Sequence, residues 1–236
     1  TSGFGLHFAE VLSAAGATVV LTGRRESRLR DLEQRLVGAG GRAHAVVVDV
    51  RSVAAMRDCV AAAERLAGPI TILVNNAGIS IQSMAADLGE GDWDAIMDTN
   101  VKGPFFMAQL VGRRMIEAGI RGRIVNVASI GAKKALPGLV AYCTSKAAVA
   151  MMTEGLAREW ARHGIAVNAI CPGYVKTELN DAWFESPPGQ KQIAGFPRRR
   201  LATEGGLDAT LLLLCSRHAD FITGSLFTVD DGQLLG

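Results

Sequence analysis

The 236-residue sequence lacks the patterns that mark metal-binding, membrane-spanning and nucleic-acid-binding proteins. Its four cysteines (Cys59, Cys143, Cys171 and Cys215) form no CxxC pair and have no histidine cluster nearby, which argues against a metal site. No apolar run reaches the roughly 18 residues that a membrane span needs. The net charge is only +2 and there is no basic block, so neither nucleic acid nor a membrane is expected as a partner.

The same scarcity of paired cysteines bears on the compartment. Scattered cysteines in a chain of this size are typical of a reducing environment, where they behave as small apolar residues. No signal peptide is visible in the sequence. We therefore expect a cytoplasmic protein.

Length and composition fit one α/β domain spanning residues 1–236. Hydrophobic residues make up 49% of the chain and charged residues 20%, which allows a substantial core. Short apolar runs alternate with longer amphipathic stretches. Strands that are apolar throughout, each separated by a helix, predict a doubly wound parallel sheet with helices on both faces.

The periodicity also gives approximate positions for these elements. The apolar runs predict strands at residues 18–22, 43–49, 70–74, 123–127, 165–170 and 226–229. The amphipathic stretches predict helices at residues 6–15, 25–37, 52–67, 92–118, from the region of Tyr142 to 163, and 207–215. The stretch from Tyr174 to Leu201 has no clear period, and it is interpreted either as a lid over a functional site or as a surface excursion.

The chain opens on a glycine-rich turn that leads into a helix. A turn of this kind can hold a pyrophosphate on its backbone N–H groups, and Gly3 and Gly5 lie about twenty residues before the end of the next strand. A strand and an earlier glycine normally precede such a turn. We therefore expect the polypeptide to extend upstream by one strand, without which the sheet has a gap beside its central strands.

Tyr142 and Lys146 are the most informative pair in the chain. Residues four apart share one face of a helix, and an ammonium beside a phenol favours the phenolate. Tyr142 is therefore predicted to act as an acid and base, with Ser129 holding the oxygen that exchanges its proton with the tyrosine. Cys143 adjoins the tyrosine, but the tyrosine and lysine suffice without it.

The sequence resembles the short-chain dehydrogenase/reductase family over nearly its whole length. The resemblance is carried by segments in the family's order: Gly3-Phe4-Gly5, Asp49-Val50, Asn75-Asn76-Ala77-Gly78, Asn100-Val101, Ser129, Tyr142 with Lys146, Pro172-Gly173 with Thr177, Ile222 to Gly224, and Val229 to Gly232. The family's first glycine is absent, and Asp231 stands where glycine is more usual. The resemblance implies a Rossmann-like fold and hydride transfer between a nicotinamide and an alcohol or carbonyl group.

The resemblance also implies roles for individual residues. Asn100, Ser129, Tyr142 and Lys146 are the expected catalytic residues. Asn100 is expected to kink its helix, and Lys146 to hold the nicotinamide ribose. The expected cofactor contacts are Ser2, Gly3, Phe4, Gly5, Arg24, Asp49, Val50, Asn76, Ala77, Gly78, Tyr142, Lys146, Pro172, Gly173, Val175 and Thr177.

The end of the strand predicted at residues 18–22 indicates which nicotinamide cofactor is used. Relatives that prefer NAD usually carry an acidic residue there, whereas this chain has Gly23 followed by Arg24. A guanidinium at Arg24 suits a 2′-phosphate. Ser2 lies where many NADP-preferring relatives have a basic residue, which counts against NADP. On the strength of Arg24, NADP is favoured, and NAD is the alternative.

Substrate and assembly are less defined by the sequence. The aromatic residues of the lid have two interpretations: they contact a partly apolar substrate, or they pack the lid on itself. The basic residues Lys133, Lys134 and Arg198–Arg200 also have two: they attract an anionic substrate, or they face water. Apolar stretches at residues 105–108 and 147–152 indicate pairing with another subunit. The family resemblance implies a homotetramer, because relatives commonly form tetramers through the corresponding helices. The main alternatives to an alcohol dehydrogenase or carbonyl reductase are a redox-neutral dehydratase or epimerase of the family, and a cofactor-binding regulator without turnover.

Overall fold

Parallel strands covered by helices make up the fold of the chain in a computed structural model, which describes residues 3–176 and 181–235. The strands are β1 (Thr18–Gly23), β2 (Arg42–Val47), β3 (Ile72–Asn75), β4 (Arg123–Val127), β5 (Ala166–Pro172) and β6 (Leu226–Val229). The helices are α1 (Gly3–Ala14), α2 (Glu26–Gly38), α3 (Val53–Ala67), α4 (Glu90–Met97), α5 (Gly103–Glu117), α6 (Val140–Trp160), α7 (Asp181–Glu185), α8 (Pro187–Ala194) and α9 (Asp208–Cys215).

The strands form two parallel sheets in the described part of the chain. One has the order β1-β2 and the other the order β3-β4-β5-β6. In the described residues no ladder joins β1 to β3, so a gap lies between the two sheets. All pairings are parallel, so the carboxyl ends of β3, β4 and β5 lie along one edge, which is where ligands bind in folds of this type.

The helices follow the apolar pattern of the sequence. In α2 the buried residues are Leu29, Leu32 and Leu36, which recur at helical spacing and turn one stripe of the helix toward β1 and β2. The side chain of Ser52 accepts a hydrogen bond from the N–H of Ala55 and so caps α3.

The core lies on both faces of the larger sheet. Every residue of β4 and β5 is buried, which explains why their sequences are mostly apolar. The polar exceptions Arg123, Asn126 and Asn168 each make side-chain hydrogen bonds. On one face, α3, α5 and α6 bury residues such as Met56, Val111 and Leu156. On the other, α1 and α9 bury Phe8 and Leu211 among others. This double cover confirms the predicted α/β architecture.

Two predicted elements differ from the structure. The single helix expected at residues 92–118 begins at Glu90 and is interrupted by a π-helical turn at Asp98–Lys102. The segment from Tyr174 to Leu201, expected to lack regular structure, contains the short helices α7 and α8. The π-helical turn and the two short helices depend on side-chain contacts, which the periodicity of the sequence does not reveal.

Candidate active site

The predicted catalytic side chains meet where β4 ends and α6 begins. Ser129 follows the end of β4, and its Oγ accepts a hydrogen bond from the N–H of Gly131 at 3.0 Å. Tyr142 lies in the first turn of α6, near enough to the side chain of Ser129 for that hydroxyl to lower the pKa of the phenol. One turn later, the Nζ of Lys146 lies 5.7 Å from the centroid of the tyrosine ring. The structure therefore brings these three residues together.

Burial controls the ionisation of this pair. It raises the pKa of Tyr142, and the hydrogen bond from Ser129 lowers it in part. Burial also lowers the pKa of Lys146 from an ordinary 10.5 to about 8. In the ligand-free protein burial therefore dominates, and the pKa of the phenol is raised rather than lowered. The expectation from spacing alone took no account of this desolvation.

Lys146 is held by the backbone of the neighbouring strand. Its side chain is buried, and Nζ donates a hydrogen bond to the carbonyl of Val127 at 2.7 Å. A Cβ added to Gly78 would come within 3.4 Å of both Lys146 Nζ and Asn100 Oδ1. Gly78 thus lets the backbone that follows β3 lie between these two polar groups.

Asn100 sits in the π-helical turn and braces the site. Its Oδ1 accepts from the N–H of Ile79 at 2.8 Å, and its Nδ2 donates to the carbonyl of Ile79 at 2.8 Å and to Ser145 Oγ at 3.0 Å. Ser145 Oγ in turn donates to the carbonyl of Tyr142 at 2.7 Å. The π turn is the kink expected for Asn100, and the asparagine links it to the first turn of α6.

The glycine turn at the start of α1 opens toward the residues that follow β3. Gly3 has a φ of +52°, a conformation that favours glycine. A Cβ added to Gly5 would approach Asn76 Nδ2 to 2.7 Å, so a larger residue there requires a local shift. Phe4 stacks on Phe8 within the same helix. A glycine turn at a helix N-terminus suits a pyrophosphate, and Ala77 and Gly78 are exposed.

Charged side chains lie where β1 and β2 end: Arg24 follows β1, and Asp49 and Arg51 follow β2. The register of β1 and β2 pairs Gly23 with Val47, which places Arg24 beside the residues that follow β2. There Asp49 accepts hydrogen bonds from Arg51, the shortest at 2.6 Å. These bonds, with the nearby charge of Arg24, lower the pKa of Asp49 to about 2. Val50 packs against the backbone at Gly103, where a Cβ would lie 3.1 Å away.

The remaining predicted contacts follow β5. Gly173 packs against Asp230 and Gln233 so closely that a Cβ would lie within 2.8 Å of both residues. Pro172 ends β5, and Val175 forms an isolated parallel bridge with Ala202. Ser2 and Thr177, which are also predicted cofactor contacts, lie outside the described residues.

Comparison with known protein families identifies the family of this chain. The model of the short chain dehydrogenase family matches residues 1–188. The chain belongs to the short-chain dehydrogenase family. It is an oxidoreductase of that family, with the Rossmann-like fold expected from its sequence.

Several relatives of this short-chain dehydrogenase cover nearly its whole length. Gluconate 5-dehydrogenase of Gluconobacter oxydans is 38% identical over 231 residues, which are 98% of this chain and 90% of the relative. NAD-dependent glycerol dehydrogenase of Listeria innocua is 38% identical over 234 residues, 99% of this chain and 91% of the relative. A crystal structure of gluconate 5-dehydrogenase from Burkholderia cenocepacia in complex with NADP and tartrate has a TM-score of 0.95 and 35% identity, covering 99% of this chain and 92% of that one.

Three residues of the short-chain dehydrogenase gain roles that sequence reasoning missed. Ser145 joins Asn100 to the tyrosine helix, Arg51 neutralises Asp49, and Gln233 contacts the backbone of Tyr174. Of these three roles, only that of Arg51 could have been predicted from the sequence. Arg51 comes two residues after Asp49, just beyond a strand, and this spacing allows a local ion pair.

Two other kinds of site are absent from the described residues. In residues 3–176 and 181–235, no group of three or more His, Cys, Asp or Glu side chains is arranged to hold a metal ion. Within the same ranges, no helix combines the length and the apolar character that crossing a membrane requires.

Proposed function

We propose that this chain is an NADP(H)-dependent dehydrogenase that interconverts a hydroxyl and a carbonyl group on small polyhydroxy compounds such as polyols and sugar acids. The observation that carries the proposal is the meeting of Ser129, Tyr142 and Lys146 at the carboxyl edge of the sheet, with the ammonium of Lys146 5.7 Å from the centroid of the tyrosine ring. The bound nicotinamide supplies or accepts the hydride.

The residues of the site would divide the proton chemistry among them. Tyr142 donates a proton to the oxygen of a carbonyl that is being reduced, or removes it from an alcohol that is being oxidised. The Oγ of Ser129 accepts a hydrogen bond from the N–H of Gly131. The hydroxyl hydrogen of Ser129 can then be donated to the phenol or to the substrate oxygen, where it stabilises negative charge. Lys146 supplies a positive charge that favours the phenolate and a donor for ribose hydroxyls.

Asn100 would act by holding the others in place. Its three hydrogen bonds tie Ile79 to Ser145, which is bonded to the backbone of Tyr142. A catalytic group must be held within a fraction of an ångström of its productive position. This network therefore supports the placement of the tyrosine relative to the cofactor crevice.

The preference for NADP rests on the charges at the adenosine end. No carboxylate immediately follows β1, because the strand ends at Gly23 and Arg24 comes next. Asp49 is the acidic residue at this edge, and its charge is compensated by Arg51. Arg24 directly follows the strand, and its planar guanidinium suits a 2′-phosphate. NAD remains the alternative cofactor, since the Listeria innocua relative is named as NAD-dependent.

The packing of the lid favours the proposal of a polar substrate over that of a large apolar one. Tyr174 stacks on Phe196 at 5.7 Å and meets Phe184 edge-on at 5.5 Å, so these aromatic rings pack on one another. Trp183 is partly exposed, and its Nε1 donates to Gln192. Gluconate and glycerol, after which two relatives are named, are small polyhydroxy compounds that need no large apolar wall.

The assembly is proposed to be a homotetramer in the cytoplasm. A groove of about 710 Å³ lies between α5 and α6 and is lined by apolar side chains, among them Phe105, Phe106, Met152 and Trp160. Covering this groove with a second copy would remove apolar surface from water. The four thiols are free, which fits a reducing compartment. A monomeric mass by light scattering would contradict the tetramer.

Absorbance at 340 nm tests the proposed function. The enzyme is mixed with NADP+ or NAD+ and a panel of polyols and sugar acids, and with NADPH or NADH and the matching carbonyl compounds. We expect a lasting change in absorbance with at least one polyhydroxy substrate, and a higher kcat/KM with the phosphorylated cofactor. Cofactor binding without turnover across the panel would contradict the proposal.

A further inference from the structure

The turn that follows β6 contacts both ends of the lid. This C-terminal turn comprises Asp230–Gln233, and the described residues of the lid are 174–176 and 181–201. Gln233 is buried, its Oε1 accepts from the N–H of Tyr174 at 2.7 Å, and its Nε2 donates to the carbonyl of Tyr174 at 3.2 Å. One side-chain amide thus satisfies both backbone groups of the first lid residue.

Asp231 holds the other end of the lid. Its carboxylate accepts from Arg198 at 2.6 Å and from Arg200 at 2.7 Å, and the aspartate side chain is only 12% exposed. These two ion pairs also lower the pKa of Asp231. From the sequence alone, the run Arg198–Arg200 was interpreted either as attracting an anionic substrate or as facing water. In the structure, two of its three arginines instead form ion pairs with Asp231.

The backbone at Asp231 shows that this contact has a structural cost. Its φ is +54°, in the left-handed region that favours glycine and that other residues occupy at some expense. Glycine is the residue that the family resemblance led us to expect there. The chain thus carries an aspartate in a glycine-like conformation, and that aspartate aims its carboxylate at two lid arginines.

Between these two attachments, the lid brings Tyr174 to the active site. The ring of Tyr174 packs between Phe184 and Phe196, and it lies close enough to Tyr142 to contribute to raising the pKa of that phenol. Tyr174 also follows the end of β5, at the same carboxyl edge of the sheet where Ser129 follows β4. A shift of the lid would therefore move a side chain on the edge that carries the catalytic residues.

We propose that Asp231 and Gln233 are positioning residues that attach the two ends of the lid and so set the place of Tyr174 over the substrate. This inference rests on the proposed function, because it assigns the lid to substrate binding. Gln233 fixes the entry of the lid through backbone hydrogen bonds, and Asp231 fixes its exit through ion pairs with Arg198 and Arg200.

Asp231→Gly is the sharpest test, because it removes the carboxylate while suiting the left-handed backbone. We expect the melting temperature to hold or rise, hydrogen exchange in residues 181–201 to become faster, and the KM for substrate to increase roughly three- to tenfold with little change in kcat or in the KM for cofactor. The Arg198→Gln/Arg200→Gln double variant should give the same effect, and combining it with Asp231→Gly should add nothing further. In the parent enzyme high salt should raise the substrate KM toward the variant's value.

Arg199→Asn is the matched control, because it removes one charge from the same run and keeps a residue that tolerates positive φ. It should leave lid exchange and KM unchanged. Gln233→Met should raise the substrate KM as Asp231→Gly does.

Unchanged exchange and unchanged KM in Asp231→Gly would overturn the proposal, and so would additive effects of the aspartate and arginine variants. Exchange needs no substrate, so faster lid exchange in an enzyme inactive on polyhydroxy compounds would refute the proposed substrate class while supporting the two attachments.

Discussion

Replacing Lys146 by methionine should make the protein more stable while abolishing its activity. Lys146 is only 5% exposed, and its pKa falls from an ordinary 10.5 to about 8 because burial penalises the charged form. A difference of that size corresponds to about 3 kcal/mol of destabilisation at pH 7. Methionine has a similar length and no charge. Its cost is the lost hydrogen bond to the carbonyl of Val127, about 1 kcal/mol.

The net expectation is a gain of about 2 kcal/mol at pH 7 in the free energy of unfolding of Lys146→Met, or about 4–8 °C in melting temperature. The sign of the pH dependence follows from the lowered pKa. Below pH 8 both states bind the proton and the penalty is complete; between pH 8 and 10.5 only the unfolded state binds it, so the stability of the parent protein rises with pH. The advantage of the variant should therefore shrink by about 2 kcal/mol between pH 7 and pH 9.5.

Urea unfolding of the cofactor-free proteins at both pH values measures this advantage. Lys191→Met, at an exposed position, serves as the control and should show no such pH-dependent difference. A Lys146→Met protein that is less stable than the parent at pH 7, or whose advantage is the same at pH 9.5, would refute the reasoning that burial of the ammonium costs stability.

The other predictions concern activity and cofactor binding. Tyr142→Phe should lower kcat by about 10²–10⁴-fold and leave the cofactor Kd nearly unchanged in titration calorimetry, whereas a near-normal kcat would overturn the assignment of the acid and base. Arg24→Ala should lower kcat/KM for NADP by about ten- to hundredfold and leave that for NAD nearly unchanged; an equal loss with both cofactors would argue against a 2′-phosphate contact. Gly5→Ala places a Cβ 2.7 Å from Asn76 Nδ2 and should weaken cofactor binding by about tenfold, while Gly38→Ala, which meets nothing within 4 Å, should not.

The parts of the fold that the sequence predicted are those governed by periodicity and order. β4 and β5 are buried on both faces, so their apolar runs identified them, and the leucines of α2 did the same for that helix. The meeting of Ser129, Tyr142 and Lys146 also followed from spacing and from family resemblance. These features depend on local pattern, which a sequence carries directly.

The parts that the sequence did not predict depend on what surrounds each residue. The kink at Asn100 was implied by the family resemblance, but the form it takes was not. The π turn at Asp98–Lys102 accompanies three hydrogen bonds of Asn100 to groups distant in sequence, which no helical period encodes. The pKa of Tyr142 depends on its burial, and spacing from Lys146 gives no measure of that. The pairing of Asp231 with Arg198 and Arg200 joins residues more than thirty positions apart.

A crystal structure of the enzyme with NADP and a polyhydroxy acid such as tartrate would test the central claim most directly. We predict that one hydroxyl oxygen of the acid lies within about 2.6–3.2 Å of both Tyr142 Oη and Ser129 Oγ, and that the nicotinamide ring lies on the other side of the carbon that bears it. A bound acid whose oxygens contact neither side chain, with the phenol of Tyr142 directed away from the cofactor, would contradict the assignment.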